Sequence, residues 1–284
     1  MNSDNYTVLS RVFTRSVLKK FATGKKVDDV YNLAVKLFIT HPEKNTNGDN
    51  FELLYSILKN EYRNEYYYKN TLLNKLLLGV HSVNTTTALT ELPVAESKAD
   101  FVMINGKAVV YEIKTELDNL DRLDRQLSSY YRAFNHVCVL SCESNAETIL
   151  SKYRDTAVGV YVISSRETIR RLKEPIEDNG NLSLETMFQM LRKHEYENIL
   201  LTYYSKLPKV SQYNYYNNCL DLFQELGRDN VNVYDAVLKE LKRRNHISSD
   251  TFTKIPKSLK ALSYFSELTP SQYTRLHSNL TLNY

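Results

Sequence analysis

The stretch Asp100-Phe-Val-Met-Ile-Asn-Gly-Lys-Ala-Val-Val-Tyr-Glu-Ile-Lys114 constrains the fold more than any other part of this chain. Two apolar runs flank Asn105-Gly106, a dipeptide that enters positive φ readily and is the strongest short hairpin signal. Both runs are apolar on both faces, so the hairpin belongs in the buried centre of a sheet. Three charges nevertheless sit in or beside it: Asp100, Glu112 and Lys114. Burying charge is costly unless the groups are paired or hold a metal.

The turn decides whether these charges can meet. A two-residue loop pairs 100 with 111 and sends Glu112 to the face opposite Asp100. A three-residue loop closed by Gly106 in the left-handed region pairs residues whose numbers sum to an even value. Asp100, Glu112 and Lys114 then share one face.

Other elements follow from periodicity. Residues 7–23 read as one amphipathic helix, and Arg11, Arg15 and Lys19 on it fall at i, i+4 and i+8. That basic stripe is either a solvated face or a row of phosphate contacts. Further helices are expected from Asp28 or Asp29 to Thr40, from Phe51 (capped by Asn50) to about Tyr67, and over Thr71–Leu78. Short apolar runs at Ala88–Val94, Asp100–Ile104, Ala108–Ile113, His136–Cys142 and Val158–Ser164 read as strands. Helices at about Leu120–Phe134 and Ala146–Tyr153 fall between them. This order predicts a mixed sheet covered by helices on both faces. From Asn181 onward the pattern is helical, over 184–206, 217–227, 233–244 and 270–280. The polar EPIEDNGN at 174–181 is the natural boundary, giving an N-terminal helical region 1–80, an α/β core 81–175 and a helical domain 181–284.

Composition mostly excludes. No apolar run approaches the roughly 18–20 residues that cross a bilayer, and the polar start MNSDNYTVLSRVF has no signal-peptide character. Three cysteines without paired spacing make neither a disulfide framework nor a zinc site and point to a reducing cytoplasm. Seven glycines include no phosphate-cradling motif, and six histidines show no ligand spacing. A net charge of +4 permits a basic face without announcing nucleic acid. The 22 tyrosines could be stacking platforms or a product of AT-rich coding sequence.

Two carboxylates on neighbouring strands plus an amine suit a metal-dependent phosphodiesterase. Carboxylate oxygens hold a hard cation such as Mg²⁺. The ion acidifies bound water and neutralises charge on the phosphate. Lys114, two residues beyond Glu112, points to the same face and can orient water or stabilise the transition state. Downstream, Arg122, Gln126 and Tyr130 lie at i, i+4 and i+8 and line one helix face.

These residues resemble the D…ExK signature of the PD-(D/E)XK nuclease superfamily, and Gln126…Tyr130 resembles the QxxxY motif of its RecB-like members. The segment KADFVMINGKAVVYEIKTELDNLDRLDRQLSSY, with NEYYYKNTLLNKLLLG upstream, is similar to a bacterial and phage family of that superfamily. The likeness spans about residues 50–165. Ala99 fills the position where the superfamily often has proline. The resemblance implies a restriction-endonuclease-like α/β fold, a mixed β-sheet flanked by helices, with N-terminal helices and an all-helical C-terminal extension. It implies Mg²⁺ or Mn²⁺ held by Asp100, Glu112 and the backbone carbonyl of Ile113, with Glu61 or Glu65 as the upstream helix carboxylate. Lys114 and Gln126 would serve the chemistry, while Tyr130, Arg122, Arg11, Arg15 and Lys19 would hold the substrate.

Two functions compete at this stage. One is a nuclease acting on nucleic acid, DNA ahead of RNA, in a bacterial cytoplasm or encoded by a phage within its host. The other is an inactive nuclease-fold module that binds nucleic acid or a partner in phage–host conflict. A homodimer or a protein partner is compatible with both.

Overall fold

A computed structural model of the chain describes residues 3–24, 29–79, 83–228, 232–244 and 252–284. It divides into two compact units. The first comprises Met1–Asn84, Thr115–Leu117 and Ile247–Tyr284, and the second Thr85–Lys114 with Asp118–His246.

The second unit is built on a six-stranded mixed sheet in sequential order: β1 (Thr87–Val94), β2 (Ser97–Asn105), β3 (Lys107–Lys114), β4 (Val137–Cys142), β5 (Gly159–Ile163) and β6 (Ile169–Lys173). The pairs β1–β2 and β2–β3 are antiparallel, β3–β4 and β4–β5 are parallel, and β6 returns antiparallel to β5. The five expected strands are all present, and β6 is additional. Its sequence, IRRLK, carries three cations and little apolar surface, a composition that suits a charged sheet edge.

The parallel crossovers are made by α6 (Leu123–Tyr131) and α7 (Ala146–Lys152), each shorter than its apolar pattern suggested. Beyond the sheet come α8 (Leu184–Gln189), α9 (Lys193–Tyr204), α10 (Gln212–Arg228) and α11 (Val233–Lys242). The expected helix 184–206 is broken at 190–192, where Arg192 turns to extended backbone before α9.

One hydrophobic core joins Val102, Val110 and Val139 of the sheet to Leu127 of α6, Phe188 of α8, Phe223 of α10 and Leu241 of α11. The C-terminal helices to α11 therefore share the core of the sheet and form no separate domain from 181. Two polar ties reinforce this. The Thr87 hydroxyl donates to the Lys242 carbonyl at 2.7 Å, and Arg244 grips buried Glu195 through two 2.6 Å hydrogen bonds.

The first unit is helical: α1 (Ser3–Val12), α2 (Arg15–Thr23), α3 (Asp29–Phe38), α4 (Asn47–Glu61) and α5 (Glu65–Leu72), then a π-turn at Leu73–Leu77. The end of the chain belongs with it. Thr46 bridges to Asn283, and the Asn279 side chain donates to the Phe21 carbonyl. The expected boundaries at 80, 175 and 181 thus give way to a helical unit made from both ends of the chain and an α/β unit made from its middle.

The single helix expected over 7–23 is two. Thr14 adopts extended backbone, φ −120° and ψ 154°, and precedes α2. The helix expected from Phe51 begins earlier, with Thr46 and Asp49 forming a reciprocal capping box in place of the expected Asn50 cap. It ends at Glu61, and Asn64, accepting from the Tyr67 amide at 3.2 Å, caps the next. Asp28, one of two expected starts for α3, lies outside the described residues.

Candidate active site

The hairpin takes the three-residue turn. Asn105 pairs with Lys107 and Phe101 with Tyr111, every pair summing to an even number, and Gly106 sits at φ +74°. Continuing this register one step sets Asp100 opposite Glu112. There the backbone ladder stops and a side chain takes over: the Ile113 amide donates to Asp100 Oδ2 at 2.8 Å. Asp100 therefore marks the point where β2 leaves β3, and its carboxylate stands at the opening.

Glu112 is 1% exposed and Lys114 8%. Lys114 Nζ donates to Glu112 Oε1 at 2.8 Å and to Gln126 Oε1 at 2.9 Å. An ammonium has three donors, so one N–H remains for a water or a ligand oxygen. The other carboxylate oxygen, Glu112 Oε2, lies 2.6 Å from the Tyr130 hydroxyl, which is also 2.7 Å from the Lys98 carbonyl. Sheet and helix α6 thus meet through a closed polar network in an otherwise apolar layer. Desolvation of such a pair costs several kcal/mol per ion, which good geometry and further hydrogen bonds must offset.

Gln126 stands where the sequence placed it, against Lys114. Tyr130, expected to hold substrate, lies inside the fold and not at the rim of a cleft. Its side chain is fully buried and its one proton is committed to Glu112 and Lys98, so it holds the carboxylate in place. Burial, then the charge of Glu112 and its hydrogen bond, then the charges of Asp100 and Glu91, push the Tyr130 phenol well above its ordinary range. The hydroxyl stays protonated and remains a donor. Arg122, at the start of α6, is exposed and one turn from Gln126.

The remaining candidates lie in the helical unit. Arg11 is on α1 while Arg15 and Lys19 are on α2; all three are exposed, but the break at Thr14 removes the continuous stripe. Glu61, the last residue of α4, accepts from the Tyr6 hydroxyl at 3.0 Å, and Glu65, the first of α5, pairs with Lys69 one turn on.

Glu91 was not foreseen. The pairs Thr90↔Phe101 and Leu92↔Ala99 set it opposite Asp100, and the two carboxylates lie within 4.8 Å of each other. Its backbone has φ 53°, a left-handed conformation that costs a non-glycine residue roughly 1–2 kcal/mol. Such strain is retained where surrounding structure over-determines it, often at functional sites. The only signal in the sequence is the polar Thr90-Glu91 pair interrupting an apolar strand.

The chain is thus a mixed α/β protein whose central hairpin carries a buried Glu–Lys pair locked to a crossover helix. It belongs to the family described as Bacteriophage P4 protein cII, which matches residues 58–264 and so encloses every strand and the whole cluster. Protein cII of Enterobacteria phage P4 is 26% identical over 181 residues, covering 60% of this chain and 64% of the relative. The match therefore spans less than two thirds of that relative's length. No solved structure matches the chain. Among the described residues, no helix is long and apolar enough to cross a membrane.

Proposed function

We propose that this protein is a divalent-metal-dependent nuclease of the PD-(D/E)XK type with a RecB-like helix motif. The observation that carries the reading is the Glu112–Lys114–Gln126–Tyr130 network. Two residues of ExK and two of QxxxY, from separate elements, are brought into mutual hydrogen bonds beside Asp100. An ion pair serving stability alone would not need this arrangement, since apolar side chains of similar volume usually serve a core as well or better.

The donor set fits a hard cation. Asp100 and Glu112, with the Ile113 carbonyl, offer oxygens only, as Mg²⁺ or Mn²⁺ prefers, and Glu91 adds a further carboxylate beside Asp100. When bound, the ion would supply an acidified water and positive charge for the phosphate. The chain's own residues do the rest. Tyr130 fixes the Glu112 carboxylate. Gln126 holds Lys114 through the oxygen of its amide and so aims the remaining N–H. Lys114 orients the attacking water or meets charge developing on the phosphate. Exposed Arg122 can engage the phosphate backbone.

The substrate in this reading is nucleic acid, DNA ahead of RNA, met inside a bacterial host. The test is cleavage of linear, circular and single-stranded substrates with Mg²⁺ or Mn²⁺, against Asp100→Ala and Glu112→Ala as controls. Cleavage that vanishes in both variants supports the reading. Binding without cleavage by the wild type replaces it with the inactive binding module.

A further inference from the structure

Many exposed cations of this protein stand beside a carboxylate. Lys152 pairs with Asp124, Arg171 with Glu174 and Arg243 with Glu240. Two neighbouring helices of the helical unit depart from that pattern. They are α2 and the last helix of the chain, α13 (Pro270–Thr281), which follows α12 (Lys260–Phe265). Neither α2 nor α13 carries an Asp or a Glu.

The two helices are joined in the fold. Arg275 Nη1 donates to the Thr23 carbonyl at 3.0 Å, and Asn279 Nδ2 donates to the Phe21 carbonyl at 2.6 Å. The stem of Arg275 passes over Gly24, where its Cδ lies 3.0 Å from the place a Cβ would occupy. The apolar residues of both helices, Phe21 and Leu276 among them, turn inward. Arg15, Ser16, Lys19 and Lys20 are left exposed on one helix, and Arg275 and Ser278 on the other. Arg15 and Lys19, one turn apart, make no ion pair among the described residues.

The elements packed against this pair bring few carboxylates, and those are occupied. α12, against α2, has no acidic residue. α4, against α13, carries Asp49, Glu52 and Glu61. The Thr46 amide and hydroxyl engage Asp49, the Ser258 amide engages Glu52, and the Tyr6 hydroxyl engages Glu61. Glu267, three residues before α13, is the carboxylate closest to that helix along the chain.

We infer that the α2–α13 face is a docking surface for the phosphate backbone of double-stranded nucleic acid. Neither helix exposes a large apolar side chain that could enter a lipid layer, and Leu282, the nearest along the chain, lies past the end of α13. Neither exposes a ring on which an unpaired base could stack, since Phe21 and Tyr273 are 4% and 6% exposed. Cations and hydroxyls remain, the groups that grip phosphates without reading bases. The choice of nucleic acid over an acidic protein rests on the nuclease reading above.

The test is fluorescence anisotropy of a short end-labelled duplex, titrated with the full chain in Ca²⁺ over a range of salt. The paired Arg15→Ala, Lys19→Ala variant should lower the slope of log affinity against log salt by about 1.8, alike for duplexes of unrelated sequence. Both side chains are exposed, so its melting temperature should match the wild type. The paired Lys36→Ala, Lys239→Ala variant removes equal charge from exposed positions on α3 and α11 and should leave the slope unchanged. Wild type should hold the duplex more tightly than an oligothymidylate at the same salt. An unchanged slope in the Arg15, Lys19 variant overturns the inference and gives the face to an acidic protein. An equal fall in the Lys36, Lys239 variant overturns it in favour of bulk charge, and tighter binding of the single strand overturns it as well. The nuclease reading fails separately. A wild type that binds duplex with this slope but cleaves nothing sinks that reading alone, and one that cleaves but binds without regard to Arg15 and Lys19 sinks this inference alone.

Discussion

The Tyr130 hydroxyl reaches across from helix α6 to Glu112 on strand β3, 2.6 Å from Oε2, and in doing so fixes the carboxylate that Lys114 holds from the other side. Tyr130→Phe keeps the ring's packing and removes only this donor. A buried charged acceptor left one partner short costs about 1–3 kcal/mol. Urea unfolding should show that loss, and cleavage should fall with it because Glu112 is no longer held.

Alkaline pH should probe the same hydroxyl. Its folded pKa is raised above the ordinary value, chiefly by burial. The unfolded chain therefore releases this proton near pH 10 while the folded chain keeps it, so the contribution is complete below that pH and is lost as pH rises beyond it. Buried Tyr31, Tyr111 and Tyr161 shift in the same direction. Stability should fall steeply above about pH 10, and Tyr130→Phe should make that fall shallower.

Glu91→Gly separates stability from metal binding. Glycine adopts φ 53° without the penalty of a side chain, so the variant should recover about 1 kcal/mol of backbone strain against whatever the lost carboxylate contributed. The rise in melting temperature with Mn²⁺ should shrink, since one carboxylate beside Asp100 is gone. An unchanged Mn²⁺ response would remove Glu91 from the site.

Gly106 tests the register. No atom lies within 4 Å of a Cβ built there, so Gly106→Val meets no clash and its cost is conformational, about 1–2 kcal/mol for a residue forced to φ +74°. Gly106→Asn should be milder, because asparagine tolerates this region. A stabilised Gly106→Val would mean that the three-residue turn is not what sets Asp100 against Glu112.

The Glu195–Arg244 pair should anchor the helices to the sheet. Both side chains are nearly inaccessible, and Arg244 also donates to the Met190 carbonyl at 2.8 Å. Arg244→Ala leaves Glu195 buried and unpaired, and denaturant unfolding should show a loss of about 3–5 kcal/mol.

Much of this was legible in the sequence, for physical reasons that can be named. Asn105-Gly106 between apolar runs specified the hairpin, and the requirement that Asp100 and Glu112 share a face selected the three-residue turn. The spacing of Gln126 and Tyr130 gave the helix face, but periodicity could not say how deep Tyr130 lies. Local breaks were harder. Thr14 and Asn64 are ordinary capping residues inside patterns that also fit continuous helices, so Arg11 and Arg15 were joined into a stripe that the structure divides. β6 was hidden because an edge strand of arginines and lysine lacks the apolar signature of a buried one. The union of the chain's two ends depends on contacts such as Asn47 to Asn279, 232 residues apart, which no local window contains.

The central claim is that Asp100 and Glu112 hold the ion that drives phosphodiester cleavage. The most direct measurement is the single-turnover rate on labelled linear DNA with Mn²⁺, for the wild type and for Glu112→Gln, which retains the side chain's shape. The wild type should cleave, and the variant should be slower by at least about 10³-fold while still binding DNA. A wild type that never cleaves, or a Glu112→Gln protein that cleaves at nearly the wild-type rate, would contradict it.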